Sequence, residues 1–380
     1  MVYLAWLLLA ILAGSLVYCA LVMVAARRYL DVRPPPLTLP EPISILKPLH
    51  GLEVNLEDNL RTFFTQDYPA FEILFAVRSS TDTAIPVVEK LQREFSDVPS
   101  HLLVTGEPPY PNAKVFSLHK MLEAASNDLV LMSDSDIRVT SGMLRTIAAE
   151  FQDSQVGIAT CPYRAVGGES FWSQLEAIGM NTEFLAGVLV ARMLDGMKFA
   201  VGPTVAARKA VLNLIGFERL KDYLAEDFVL GKFAAEHGAG VILSSYVVEH
   251  HIGSQDLALN AAHRLRWARS TRRSRPAGYA GSIFTNPIPI AVLACVAAPS
   301  WWPLLIGTIA VRSAAAYAVS VDVLSAPVPW LRLFLQDLLS FLFWIAGFFG
   351  NTVAWRGRKY YLMRDGRFRP VEETGPAPRG

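Results

Sequence analysis

Residues 43–77 read ISILKPLHGLEVNLEDNLRTFFTQDYPAFEILFAV, and this stretch decides the fold. Its opening, 43–46, is a short apolar run closed by Lys47-Pro48, which suits a buried strand. Asn55 stands where it caps a helix, and Leu56, Leu60, Phe63 and Phe64 then fall on one helical face. Tyr68-Pro69 ends that helix, because the residue before a proline is pushed out of the helical region. Phe71–Val77 is the next buried strand. Outward from here the alternation continues. A helix is predicted over 85–95, a strand over 101–104, a helix over 117–125 and a strand over 129–132. The last runs into Ser133-Asp134-Ser135-Asp136. The alternation predicts an α/β fold with a mostly parallel, doubly wound sheet. In such sheets ligands sit beyond the carboxyl ends of the strands.

The flanks have a different composition. Over the whole chain hydrophobic residues make up 52% and charged residues 18%. A chain this apolar buries or embeds its side chains, which excludes disorder. The net charge of +1 excludes a nucleic-acid binder. Cys19, Cys161 and Cys295 are too few and too scattered for a disulfide framework or a zinc cluster, and a reduced compartment or a membrane fits them. Residues 3–26 carry no charge, and Arg27 and Arg28 follow at once. That run is long enough for a membrane core of roughly 30 Å. Its basic residues follow the run instead of preceding it, so it reads as an uncleaved anchor and not as a signal peptide. Positive charge stays cytosolic, which places the N-terminus outside and the chain from Arg27 in the cytosol.

A second apolar block spans about 283–351 and is punctuated by Pro299, Pro303, Pro327 and Pro329. It holds two or three apolar segments. Arg356, Arg358 and Lys359 behind it call for a cytosolic tail, so two segments cross and a third would be re-entrant or interfacial. The expected organisation is an anchor over 1–28, a stiff Pro34-Pro35-Pro36 linker, a cytosolic domain over 34–281, membrane helices over 283–351 and a basic tail over 352–380. The last residues, 374–380, read as disordered.

Asp134 and Asp136 are the sharpest chemical feature. Two carboxylates two positions apart, just past a buried strand, need a cation or a proton between them. A hard divalent ion is commonly held by one or two carboxylates plus substrate phosphates. Two solvated turn aspartates are the competing reading. Taken locally, Asp82, beyond the second strand, reads as a helix N-cap, and Glu226-Asp227 as acids that favour a helix N-terminus. His263-Arg264-Leu265-Arg266-Trp267 opens a run with arginines at 264, 266, 269, 272, 273 and 275. Arg269 to Arg275 read as a juxtamembrane belt for anionic headgroups. Arg266 beside Trp267 suits a diphosphate, because guanidinium offers phosphate a fork of donors.

Residues 45–77, the SDSD loop, LAEDF at 224–228, Arg266-Trp267 and WRGRKYYL at 355–362 together resemble the ceramide glucosyltransferase-like family of membrane glycosyltransferases. YLAEDF, SSYVVE and LRWARSTRRSRPAGY resemble its bacterial branch, which includes an enzyme that adds N-acetylglucosamine to a hopanoid polyol. The resemblance implies a GT-A fold. It implies that Asp82 contacts the nucleotide base, that Asp134 serves metal and diphosphate and that Asp136 completes the metal site. Asp227 is implied as the catalytic base, and Arg266 and Trp267 match the family's R-W pair. Asn112 and Lys114 match a donor-site N-x-K segment. His263 stands where the family has Gln or Arg, and Thr182 stands near a histidine of the animal enzymes. That second departure bears on ceramide as acceptor.

The implied activity is inverting transfer of a hexose or N-acetylhexosamine from a UDP-sugar, with Mg²⁺ or Mn²⁺. The implied acceptor is a hydroxyl of a membrane lipid, a hopanoid polyol or a ceramide-like sphingolipid, at the cytosolic face of a bacterial inner membrane. Physically, a divalent ion and Arg266 stabilise the diphosphate charge, and Asp227 takes the acceptor proton. A polyprenyl-phosphate glycosyltransferase or a processive synthase on the same fold is the alternative. A membrane receptor or transporter would pair charges inside its spans, where Arg312, Asp322 and Asp337 are the candidates.

Overall fold

The computed structural model describes residues 2–355 and 358–371; Arg356 and the run 374–380 lie outside the described residues. In chain order the strands are β1 (Ile43–Pro48), β2 (Phe71–Val77), β3 (Ser100–Val104), β4 (Leu129–Ser133), β5 (Ile137–Arg138), β6 (Val156–Thr160) and β7 (Tyr163–Gly167). They continue as β8 (Thr204–Arg208), β9 (Gly240–Leu243), β10 (Val248–Ile252), β11 (Thr352–Trp355), β12 (Arg358–Leu362) and β13 (Phe368–Pro370). The helices that matter below are α1 (Val2–Leu30), α2 (Leu56–Phe64), α3 (Ile85–Glu94), α4 (Ala113–Ala124), α5 (Phe171–Gly179) and α6 (Leu185–Asp195). After them come α7 (Glu226–Glu236), α8 (Leu257–Ser274), α9 (Trp302–Tyr317) and α10 (Trp330–Gly347).

The main sheet has the order β3-β2-β1-β4-β8-β6-β9. β3, β2, β1 and β4 run parallel, and β6 pairs parallel with β9, while β8 is antiparallel to both β4 and β6. The sheet is therefore mixed, in a GT-A-like α/β arrangement. β1 and β4 are almost wholly buried, as their largely apolar runs require, with Ser44 and Lys47 of β1 buried among them. α2 packs Leu60, Phe63 and Phe64 on one sheet face, and α4 packs Val115, Leu118 and Met121 on the other. A small second sheet, β5-β10-β7, stands beyond the carboxyl end of β4.

Local details refine the sequence reading. Asn55 precedes α2 as expected, but its side chain makes no capping bond; it takes a left-handed φ of 60° instead, a turn conformation that Asn tolerates. α4 begins at Ala113, four residues before its expected start, because Asn112 caps it by accepting from the Val115 amide at 3.2 Å. Residues 352–371, read from sequence as a basic tail, carry the antiparallel sheet β11-β12-β13. Its Val353, Tyr360, Leu362 and Phe368 bury Leu224.

Four helical stretches are long and apolar enough to cross a membrane: Tyr3–Leu30, Phe171–Asp195, Pro299–Val323 and Trp330–Gly347. A further apolar pair, Pro276–Thr285 with Pro287–Ala297, is bent by 67°. Phe171–Asp195 lies inside the expected globular domain and joins α5 to α6 through a π-helical turn, Met180–Phe184. α1 packs Cys19, Val22 and Ala26 against Leu185, Leu189 and Ala315, and its Tyr29 hydroxyl donates to the Ser244 carbonyl at 2.7 Å. Arg312 and Asp337 form a buried ion pair, Nε to Oδ2 2.8 Å, and Arg312 also donates to the Thr182 carbonyl and hydroxyl. Asp322 is exposed.

Candidate active site at the sheet's carboxyl edge

β4 delivers Asp134 to the edge of the sheet. The Asp134 amide donates to the Pro203 carbonyl at 2.9 Å, at the entry to β8. Beneath it lies Lys47, fully buried, with its ammonium 3.7 Å from the Phe63 ring and donating to the Asp134 carbonyl. Burial pulls Lys47 down to about 7 against the pull of Asp134 and Asp136. Lys47 thus ends β1 and props the crest of the carboxylate loop. Sequence reading took it only as the end of a strand.

The two aspartates are held apart by different partners. Asp134 Oδ1 meets Lys114 Nζ at 2.7 Å, and the same ammonium reaches Glu226 Oε1 at 3.0 Å. Asp136 Oδ2 lies 3.0 Å from His250 Nε2. Burial, reinforced by Asp136 and opposed by Lys114, raises Asp134. Burial also disfavours the Asp136 charge, but His250 outweighs it and holds Asp136 below the usual carboxylate range. Asp136 Oδ1 is buried with no hydrogen-bond partner, as is His250 Nδ1. An orphaned carboxylate oxygen beside a second carboxylate fits a divalent cation. Among the described residues no group of three or more His, Cys, Asp or Glu side chains is arranged to hold a metal. Any ion here would complete its shell with substrate phosphate or water.

Asp227 stands in the first turn of α7 next to Glu226. Burial and the Glu226 charge push it up to about 6, with Lys114 pulling the other way. A side-chain carbon at Gly202 would lie 3.3 Å from Asp227 Oδ2, so the bare glycine leaves this carboxylate its room. Lys114 therefore bridges Asp134 and Glu226, acids from two distant segments, and its charge also acts on the neighbouring Asp227. The loop before Asp227 is clamped from behind: Asp222 accepts from the Phe368 amide at 2.8 Å, and Leu224 packs into the β11–β13 sheet.

α8 carries His263, Arg266 and Trp267 on one length of helix. The His263 ring meets Trp267 at a tilt of 54° with ring centroids 4.5 Å apart, and its Nδ1 lies 2.7 Å from the buried Glu176. Asn260 also donates to Glu176, at 2.5 Å. Trp267 packs against the main core, and Arg266 is half-buried beside it. Arg269 and Arg272 depart from the headgroup-belt reading. Arg269 donates to the Phe349 and Thr352 carbonyls, and Arg272 to the Gly350 carbonyl and the Asn351 side chain, so both hold the carboxyl end of α10. Backbone carbonyls at a helix end attract cations as headgroups do. Arg275 lies over Phe228, 4.8 Å from its ring.

Asp82 and Asn112 have local duties. Asp82 Oδ1 accepts from Ala84 at the start of α3 and from Gly51 in the loop after β1, at 2.9 and 3.0 Å. Asn112 is fully buried; besides capping α4 it donates to the Tyr223 carbonyl at 2.9 Å. It fixes the helix that presents Lys114. Sequence reading missed Lys47, Glu176, Tyr163 and His250. The Tyr163 ring meets His250 edge-on at 5.5 Å. A lone acid in an apolar helix marked Glu176, and the doublet His250-His251 was a visible signal too.

The profile of glycosyl transferase family 21 matches residues 7–368. Ceramide glucosyltransferase 1 of Caenorhabditis elegans is 31% identical over 223 residues, 58% of this chain and 47% of that protein. Ceramide glucosyltransferase of Komagataella phaffii is 37% identical over 116 residues, 28% of this chain and 23% of that protein. The chain spans about half or less of the length of these curated relatives. Among solved structures, the mannosyltransferase PcManGT of Pyrobaculum calidifontis, in complex with GDP-Man and Mn²⁺, superposes with a TM-score of 0.54 at 19% identity. It covers 90% of this chain and 97% of that chain. With its GT-A-like sheet, its apolar helices and this match over nearly its whole length, the chain belongs to glycosyl transferase family 21.

Proposed function

We propose that the protein is an inverting glycosyltransferase that moves a hexose or N-acetylhexosamine from a UDP-sugar to a hydroxyl of a membrane lipid. The observation that carries this reading is Asp227, a buried carboxylate pushed up to about 6, next in the chain to Glu226, which Lys114 bridges to Asp134. A group poised there is ionised at neutral pH and still basic enough to take a proton.

The acceptor oxygen attacks the anomeric carbon, and its proton passes to an Asp227 oxygen. The bond from that carbon to the donor diphosphate breaks with inversion, and the electron pair leaves on the diphosphate. Lys114 and Arg266 bring positive charge to the side where that negative charge develops. Asp134 and Asp136 would hold a Mg²⁺ or Mn²⁺ ion with the phosphates, supplying further charge neutralisation. Asp82 is assigned the nucleotide base, and Trp267 with His263 offers an aromatic wall to the sugar or diphosphate. The membrane-length helices bring a lipid alcohol to this edge, and a cytosolic domain meets nucleotide sugars where they are made.

A hopanoid polyol and a ceramide-like sphingolipid are the two acceptor classes. Incubation of purified protein with UDP-glucose or UDP-N-acetylglucosamine and each lipid, followed by mass spectrometry, distinguishes them. Glycosylated lipid of inverted anomeric configuration is the expected product. Hydrolysis of donor with no lipid product from either class would overturn the reading.

A further inference from the structure

A cavity of about 390 Å³ lies among three membrane-length helices and β7, the strand that pairs with the His250 strand β10. Its walls are mainly apolar, with Ala177 and Ile178 of α5 facing Val328 in the turn before α10. That size and lining are those of a small-molecule pocket. The turn is built and not loose. Ser320 donates to the Ala326 carbonyl at 3.0 Å and accepts from the Ala326 amide at its own carbonyl at 2.7 Å. Arg164 donates to the Ser325 carbonyl at 3.2 Å, across a residue held at a left-handed φ of 52°.

The charge at the rim is one-sided. Arg164 is balanced by Glu249. Arg332 lies against Phe171 and its polar partner is the neutral Gln174, so among the described residues no acid offsets it. Guanidinium has five donors, and one is used here. Around this opening the helix ends expose Phe171, Trp330 and Leu331. Aromatic residues at the ends of apolar helices mark the level of lipid headgroups. An apolar slot, an unbalanced guanidinium and an aromatic belt at one level fit an amphiphile with an acyl tail and an anionic head.

We propose that this cavity binds an anionic phospholipid, with its phosphodiester on Arg332 and the start of a tail against Val328 and Ile178. Among the described residues, neither Arg332 nor Val328 has a contact with the carboxylate cluster; the proposal rests only on the membrane part of the reading above. The test uses the full chain in a neutral detergent with short-chain phosphatidylglycerol, phosphatidylcholine of the same tails, and inorganic phosphate. Binding is read by native mass spectrometry and by thermal shift, and UDP affinity is measured alongside. Phosphatidylglycerol should bind and raise Tm, while the other two should not. Arg332→Gln, at an exposed position, should weaken phosphatidylglycerol about fivefold, the worth of one basic residue at an anionic surface. Val328→Trp should block the slot. UDP affinity should stay unchanged in both, which separates this site from the donor site. Equal binding of phosphatidylcholine, an equal effect of inorganic phosphate, or phosphatidylglycerol binding retained in both variants would overturn the proposal.

Discussion

Asp227 is where one residue's environment sets a measurable behaviour. Its carboxyl titrates near pH 6 because it is buried beside Glu226. A general base works only when ionised, so turnover should be flat above that pH and fall about tenfold per unit below it. Asp227→Asn keeps the shape and cannot accept the proton. Turnover should drop roughly 10² to 10⁴-fold with UDP affinity, read by calorimetry, little changed. Near-normal turnover would show a helix-capping aspartate only. Lys47 makes a second test. Lys47→Met retains the stem against Phe63 and removes the prop under Asp134. Losing a charged hydrogen bond costs about 1.5–3 kcal/mol, so UDP should bind roughly ten- to a hundredfold more weakly in a protein of unchanged circular dichroism. Asp134 and Asp136 were legible because a carboxylate pair after an apolar strand is a local pattern. Lys47 and His250 were not, because they meet that loop across 87 and 114 residues.

Among the elements, β1 to β4 could be read from local pattern, since each is a short buried run between a turn and a helix. The start of α4 was hidden in a proline-dense stretch, where Asn112 alone signals the helix. The β11–β13 sheet was hidden for another reason: its apolar face is completed by Leu224, far away in sequence. That sheet stands behind the loop leading to Asp227. Phe368→Ala removes a ring that is 2% exposed at its centre. The cost is about 3–5 kcal/mol for that local unit. The expected result is protease cleavage appearing near residue 222 and reduced turnover, with α1 and the other apolar helices still inserted. Unchanged cleavage would mean that the sheet does not brace the loop.

At the scale of the whole molecule, the apolar helices are held by a buried charge pair. Removing one partner strands the other, at a cost of about 3–5 kcal/mol. Arg312→Met alone and Asp337→Leu alone should each lower Tm and yield, and the double replacement should recover most of the loss. Equal losses that simply add would show that the two side chains do not depend on each other. The pairing that a transporter would place on a permeation path is here closed on itself and on Thr182. The membrane-length helices near the two ends were legible by length. Phe171–Asp195 was not separated from the globular domain, because its apolar run is interrupted by Glu176 and Glu183.

That helix has a geometric consequence. The strands on either side of it in the chain, β6 and β8, are hydrogen-bonded neighbours in one sheet. A single passage through the bilayer would leave them on opposite sides, so this helix does not cross, although its length and composition would allow it. With 56% of its apolar window buried within the protein, it can meet lipid from one side only. An apolar helix that meets lipid from one side only should favour membranes whose packing on that side is loose, as on strongly curved ones.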